Sequence, residues 1–315
     1  MDQYANLFAF EDYLGAQARA IPDLPEVDVL SPRVMRVLGG NPGQMQLQGT
    51  NTYILGTGAE RLLIDSGQGR ARWEQLMTSL AAEHNFRISK VLLTHWHLDH
   101  TGGVPHLYGI FPELRDAKAI YKCHPDPSQQ AIADGQVFSV EGATVRAVFT
   151  PGHSTDHTCF LLQEEEAIFT GDTVLGHGTT GVEDLEEYMQ SLHKIQGLGC
   201  RIGYPGHGGM IEDLQQKVQQ EIGQKQRRER QVLLALQNIQ REKRTVGDAN
   251  GAATQAELIE AIFGRLPADV ADRFFTPYMK DILMKMARDK RVGFRFKGGQ
   301  KHWFANVSPE SPVCK

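Results

Sequence analysis

The sequence predicts a mixed α/β layered fold, and three observations carry that expectation. Short β-branched runs separated by Gly, Pro and Asn fill the chain from Arg33 to about Gly206. Segments between some of them repeat apolar residues at three and four positions, the spacing of a helix face. Near Ile211 the texture changes to long amphipathic helices, then a small hairpin. Sheets and helices alternating in one chain bury their apolar faces by stacking in layers.

The elements follow in order. Val34 to Leu38, Thr52 to Leu55, Leu62 to Asp65, Val91 to Thr94, Thr144 to Phe149, Cys159 to Leu162 and Ala167 to Thr170 read as strands. Ala71 to Glu83 and Asp184 to Ile195 read as helices. Ile211, Leu214, Val218 and Ile222, then Val232, Leu236 and Ile239, mark one or two long helices ending at the basic Arg241 to Arg244. A small-residue linker, Gly247 to Ala253, precedes Thr254 and Glu257, a T-x-x-E capping box that opens a helix through Ile262 and Phe263. A further helix covers about Phe275 to Ala287. Val292 to Phe296 and His302 to Asn306 flank Lys297-Gly298-Gly299-Gln300 as a hairpin, so the carboxy-terminal part reads as winged-helix-like. The expected divisions are an amino-terminal extension (1–30), a layered domain (31–210), connecting helices (211–245) and a terminal domain (246–315).

The 315 residues leave room for about two domains at roughly 150 residues each. A hydrophobic share of 41% and a charged share of 23% set aside collagen-like, coiled-coil and largely disordered chains. The net charge of -5 and pI near 6.2 argue against a dedicated nucleic-acid binder. No apolar run approaches the roughly 18 residues that span a bilayer, and Asp2, Glu11 and Asp12 break the pattern of a secretory signal. A cytoplasmic location with no membrane partner is the expectation. Cys123, Cys159, Cys200 and Cys314 form no C-x-x-C pair and read as reduced packing thiols.

Chemistry concentrates in Thr94-His95-Trp96-His97-Leu98-Asp99-His100, directly after the apolar Val91 to Leu93. Three imidazoles and a carboxylate at a strand end can converge on one point, and both are preferred donors for zinc and its neighbours. His153, Asp172 in Thr170-Gly171-Asp172, and His207 in Pro205-Gly206-His207-Gly208 lie in similar settings. Motifs for serine hydrolases, P-loop enzymes and Rossmann dehydrogenases are missing.

This H-x-H-x-D-H run, followed by single His, Asp and His positions, resembles the metallo-β-lactamase superfamily over about Leu30 to Gly209. The resemblance implies an αββα sandwich with a two-metal site at its edge. One ion is then held by His95, His97 and His153, the other by Asp99, His100 and His207, with Asp172 bridging. It implies zinc, with Mn or Fe as alternatives. Asp65, in Leu63-Ile64-Asp65-Ser66-Gly67, matches the first motif and would hydrogen-bond the ligand loop; a turn-capping Asp is the other reading. Asp99 can also orient the attacking water or accept its proton, and is the candidate catalytic residue.

One fold serves many substrates. Outside the motif, Leu30-Ser31-Pro32-Arg33, Asn41-Pro42-Gly43, Gln48-Gly49-Thr50-Asn51-Thr52-Tyr53 and the Gly176 to Thr180 segment with Glu183-Asp184-Leu185 resemble the branch of β-lactamase-like protein 2, a ribonuclease. They are more similar to fungal acyl-carrier-protein thioesterases that partner non-reducing polyketide synthases, of the atrochrysone carboxyl type. That likeness implies hydrolysis of an aromatic polyketide thioester on a synthase's acyl carrier protein, releasing the carboxylic acid. The competing expectation is a single-strand endoribonuclease, with Lys225 to Arg228 and Lys285 to Arg291 meeting phosphates or an acidic carrier protein. Nucleic acid is the disfavoured partner. Thr179, Thr180 and Tyr188 are candidates for the substrate approach.

Overall fold

The computed structural model describes residues 21–247 and 251–306. The expected extension therefore lies largely outside the described residues, as do Cys314 and part of the Gly247 to Ala253 linker.

Seven strands form the first sheet: β1 (Val27–Ser31), β2 (Val34–Leu38), β3 (Asn51–Leu55), β4 (Glu60–Ile64), β5 (Arg87–Leu92), β6 (Ile120–Lys122) and β7 (Gln130–Ala131), lying in that order. β1 to β4 pair antiparallel and β4 to β7 parallel. β1 is the outer strand, so this sheet begins before residue 31, inside the expected extension. The second sheet holds β8 (Val137–Val140), β9 (Ala143–Phe149), β10 (Thr158–Leu162), β11 (Ala167–Gly171) and β12 (Ile202–Pro205), in reverse order.

Alternation along the strands explains the layering. Tyr53, Leu55, Leu62 and Ile64 face one way and join Val145, Phe160, Phe169 and Tyr204 in a core between the sheets. Ile54 and Leu63 face the other way and meet Trp73, Met77 and Leu80 of α1 (Ala71–Glu83). Short helices α2 (Leu98–Thr101), α3 (Val104–Ile110) and α4 (Glu113–Asp116) follow, and Val104, Leu107 and Leu114 enter the same core. α5 (Leu185–Gly197) opens on Asp184, whose side chain accepts from the Glu186 and Glu187 amides. It buries Leu185, Tyr188, Leu192 and Ile195, and Tyr188 and Ser191 donate to the Thr173 and Pro151 carbonyls. Tyr188 is thus a packing residue and does not line a substrate approach.

The ligand-bearing ends share an edge for a topological reason. β9 and β10 are antiparallel, as are β10 and β11, while β11 and β12 run parallel. β9, β11 and β12 therefore finish at the same end of their sheet. The Thr158 amide donates to the Thr94 carbonyl at 2.8 Å, joining this end to the loop after β5.

The described residues divide into two compact units, with the boundary at Gln220 and Glu221. That point lies inside α6 (Leu214–Thr245), one helix of 32 residues in place of the one or two expected. Ile211 precedes it, in a bridge with Gly203. The second unit adds α7 (Gln255–Phe263), α8 (Ala268–Val270), a π-helical turn (Ala271–Phe275) and α9 (Thr276–Arg288). β13 (Val292–Lys297) and β14 (Gln300–Ala305) close it as an antiparallel hairpin. Gly298 and Gly299 both take positive φ, 59° and 78°, as a two-residue turn of this kind requires. The capping box forms as expected: the Thr254 side chain accepts from the Glu257 amide, and the Glu257 carboxylate accepts from the Thr254 amide.

Candidate metal centre

Four strand ends deliver the candidate donors. His95 follows β5, His97 is the residue before α2, and Asp99 and His100 lie within α2. His153, Asp172 and His207 follow β9, β11 and β12. The structure brings together His95, His97, His153 and Asp172 as one group, and Asp99, His100 and His207 as a second. Asp172 faces both: its Oδ1 lies 3.4 Å from His100 Nε2, and its Oδ2 lies 3.3 Å from His207 Nε2 and 3.7 Å from His153 Nε2.

Outer partners decide which nitrogen each ring offers. His95 Nδ1 is engaged by the Thr94 hydroxyl at 2.9 Å, and His100 Nδ1 donates to Asp65 Oδ2 at 2.7 Å, leaving the Nε2 atoms free to face inward. His153 Nδ1 lies 2.9 Å from both the Gly181 carbonyl and the Thr180 hydroxyl, which again leaves Nε2. Around His97 Nδ1 stand His95 Nε2 at 2.9 Å and His153 Nε2 at 3.1 Å. Three imidazole nitrogens this close, two of them deeply buried, suit a shared cation better than mutual hydrogen bonds.

The electrostatics agree. Burial, then the neighbouring His100, holds His95 well below the ordinary histidine value, and burial likewise lowers His97. His95 is therefore a neutral nitrogen donor at pH 7. At His100 and His207 burial opposes the charged form, but Asp172 and its companions outweigh it; His100 rises well above its ordinary value and His207 to about 9. Asp99 is lowered to about 2, because His207 and His100 overcome its desolvation. Two ionised carboxylates in one buried pocket call for positive charge. His100 Nε2 and Asp172 Oδ1 are buried 3.4 Å apart without a formed hydrogen bond, so an imidazole nitrogen and a carboxylate oxygen are both available to a cation. The residues present fit a divalent metal.

Asp65 does what the first-motif reading asks. Its Oδ1 accepts from the Thr94 amide at 2.8 Å, its Oδ2 binds His100, and Thr94 Oγ1 donates to Oδ2 at 2.8 Å. A φ of 57° turns it out of β4, which is why that strand stops at Ile64. Glycines clear the remaining space: a Cβ on Gly171 would stand 2.6 Å from His157 Nε2, and one on Gly206 2.3 Å from Asp172 Oδ1.

Several contributors had no role assigned to them from the sequence. His157 is fully buried, and its Nε2 accepts the Asp172 amide at 3.0 Å, fixing that loop from behind. Asn51 donates to the Pro205 and Gly208 carbonyls on either side of His207, both at 2.8 Å. Gln46 and Thr50 approach Asp99 Oδ2 at 3.4 and 3.5 Å. None carries a spacing that marks it, since each acts across a long chain separation. Thr180 belongs to the site through His153, whereas Thr179 is exposed. Cys123, Cys159 and Cys200 are free thiols, and burial pushes Cys159 up to about 12, away from nucleophilic use.

Residues 46–207 match the family model of the metallo-beta-lactamase superfamily. The whole chain is 92% identical, over 100% of both sequences, to an atrochrysone carboxyl ACP thioesterase of Aspergillus fumigatus. A protein of the same name from Aspergillus chevalieri is 50% identical over 94% of each chain, and a lactamase-like protein of Aspergillus niger 51% identical over 97% and 96%. Among solved structures, a metallo-beta-lactamase family protein from Thermus thermophilus aligns over 88% of this chain and all of its own with a TM-score of 0.64. A beta-lactamase domain protein from Burkholderia ambifaria aligns over 90% and 95% with a TM-score of 0.68. At 23% and 16% identity these two speak to fold alone.

Proposed function

The chain belongs to the metallo-beta-lactamase superfamily, and on that premise we propose that it is a metal-dependent thioesterase that hydrolyses an aromatic polyketide thioester from the acyl carrier protein of a non-reducing polyketide synthase. The full-length 92% identity to a protein named for that activity carries the reading. The intact donor set supports it. In this reading residues 31–210 carry the chemistry, 211–245 connect, and 246–315 form a winged-helix-like domain.

His95, His97 and His153 would hold one zinc ion and Asp99, His100 and His207 a second, with Asp172 between them; nitrogen-rich, carboxylate-containing sets suit zinc. When bound, such a pair supplies Lewis acidity toward the thioester carbonyl and lowers the pKa of water. The protein's own groups then orient and move protons. A carboxylate held at about 2 stores a proton poorly, so Asp99 accepts a hydrogen bond from the attacking water and hands its proton onward. Water oxygen bonds to the acyl carbon as the C–S bond breaks, and the departing thiolate takes the proton. Products are a carboxylic acid and the carrier's free thiol.

Nuclease action finds less support in the basic segments. Lys285 and Arg291 are paired with the buried Glu229, and Lys285 also meets Asp289 at 2.7 Å. No helix among the described residues is long and apolar enough to cross a membrane. The deciding experiment supplies the protein with a carrier-bound polyketide from a synthase lacking a release domain and, separately, with single-stranded RNA, using His95→Ala as control. Chelator-sensitive release of the aromatic acid with RNA intact is expected. RNA cleavage lost in the variant, with no acid released, would overturn the reading.

A further inference from the structure

Most large apolar side chains among the described residues are buried, but three on the loops that carry or approach the donors stand open: Met45 is 72% exposed, Trp96 52% and Leu98 65%. Trp96 and Leu98 flank His97 in the chain, and the Trp96 ring lies 4.5 Å from the His97 ring at 67°, edge to face. Its indole N–H has no hydrogen-bond partner among the described residues. Met45 sits at the tip of a tight loop closed by the Gly43–Leu47 bridge, with Leu47 at a φ of 55°. The neighbouring Gln46 reaches toward Asp99 Oδ2 at 3.4 Å, which ties this loop to the same edge. Polar groups on both segments turn toward the donors while the apolar groups beside them remain in solvent.

We propose that Met45, Trp96 and Leu98 form an apolar lip that receives the acyl group and selects thioesters carrying a large aromatic acyl part over small ones. The proposal rests on the thioesterase reading and names its specificity surface. A thioester whose carbonyl faces the donors must lay its acyl part on whatever borders them. Here the loops that carry the donors also carry an uncovered indole, a thioether and an isobutyl group. A planar aromatic gains offset or edge contact with an indole and buries apolar area on both partners; an acetyl group is too small to reach either gain. Hydrophobic groups left in water next to a catalytic edge add nothing to the fold, and the area they offer is free to be buried by substrate.

Two readouts test the lip. The first compares naphthoyl and acetyl thioesters of N-acetylcysteamine on the metal-loaded protein and on Trp96→Gln and Met45→Gln, with bound metal measured for each. The ratio of kcat/KM for naphthoyl over acetyl should fall roughly tenfold, mainly through KM, with metal content held; a factor of that size corresponds to about 1.4 kcal/mol of lost acyl binding. An unchanged ratio overturns the proposal. The second readout needs no turnover. Of three tryptophans, Trp73 and Trp303 are buried, so iodide quenching of fluorescence reports Trp96. The non-hydrolysable naphthoyl amide should shield it, and Met45→Gln with Leu98→Gln should weaken that shielding; quenching unaltered by the amide overturns the lip. Shielding in a protein that cleaves neither thioester would support the lip and refute the thioesterase reading.

Discussion

The unit that ends at Gln220 and the one that begins at Glu221 use buried charge in opposite ways. In the first, Asp99, Asp172 and five histidines crowd together, and the two carboxylates stand at ion-pair distance from imidazoles. In the second, the buried Glu229 finds Lys285 and Arg291, and Glu257 closes its capping box while pairing with Lys243 at 2.6 Å. A carboxylate paired with Lys and Arg fixes a fold; carboxylates grouped with imidazoles, whose nitrogens also ligate cations, make a place for a ligand. Breaking a partner should therefore show as lost metal in the first unit and as lost stability in the second.

The largest expected effect is at His97. His97→Ala removes an inward nitrogen that no neighbour replaces, so turnover should fall by more than about a hundredfold and metal content should drop. His97 is partly exposed, so the melting of the metal-free protein should barely move. Full metal and rate in this variant would dissolve the contrast between the units. Trp303→Ala makes the opposite demand. Trp303 is 1% exposed and its truncation should cost about 3–5 kcal/mol in denaturant unfolding, with bound metal per folded chain unchanged.

Asp65→Asn sharpens the comparison, because Asn tolerates the positive φ while weakening the bond that orients His100. Metal affinity should fall roughly tenfold to a hundredfold in chelator competition; an affinity equal to wild type would make Asp65 a turn residue only. The smallest effect concerns Glu257. Despite burial, its bonds to Lys243 and Thr254 lower its pKa below the ordinary value. Its contribution is therefore complete above the unfolded value near 4.5 and is lost as pH falls through the folded one. Glu257→Gln should cost about 0.2–1 kcal/mol at pH 7, and the gap to wild type should close on acidification. A gap that widens instead would show the pair does not act as drawn.

Local pattern determined much of this protein. Alternation and apolar spacing placed β2, α1, α7 and α9 to within a residue or two, and Thr254 with Glu257 announced its helix because capping acts within one turn. The donors from His95 to His100 were legible for a similar reason: chemistry of one kind was written densely in one loop. Short strands such as β6 and β7 escaped notice, since two or three residues carry no periodicity and are held by their neighbours. His157, Asn51 and Gln46 escaped for a deeper reason. Each takes its role from a partner far along the chain, as Asn51 does across |i−j| of 154 and 157 to grip the His207 loop. The sequence by itself determined which groups could bind a metal. Tertiary structure alone decided which nitrogen each ring offers and which apolar side chains remain open beside them, because those outcomes depend on contacts made only when distant strand ends meet at one edge.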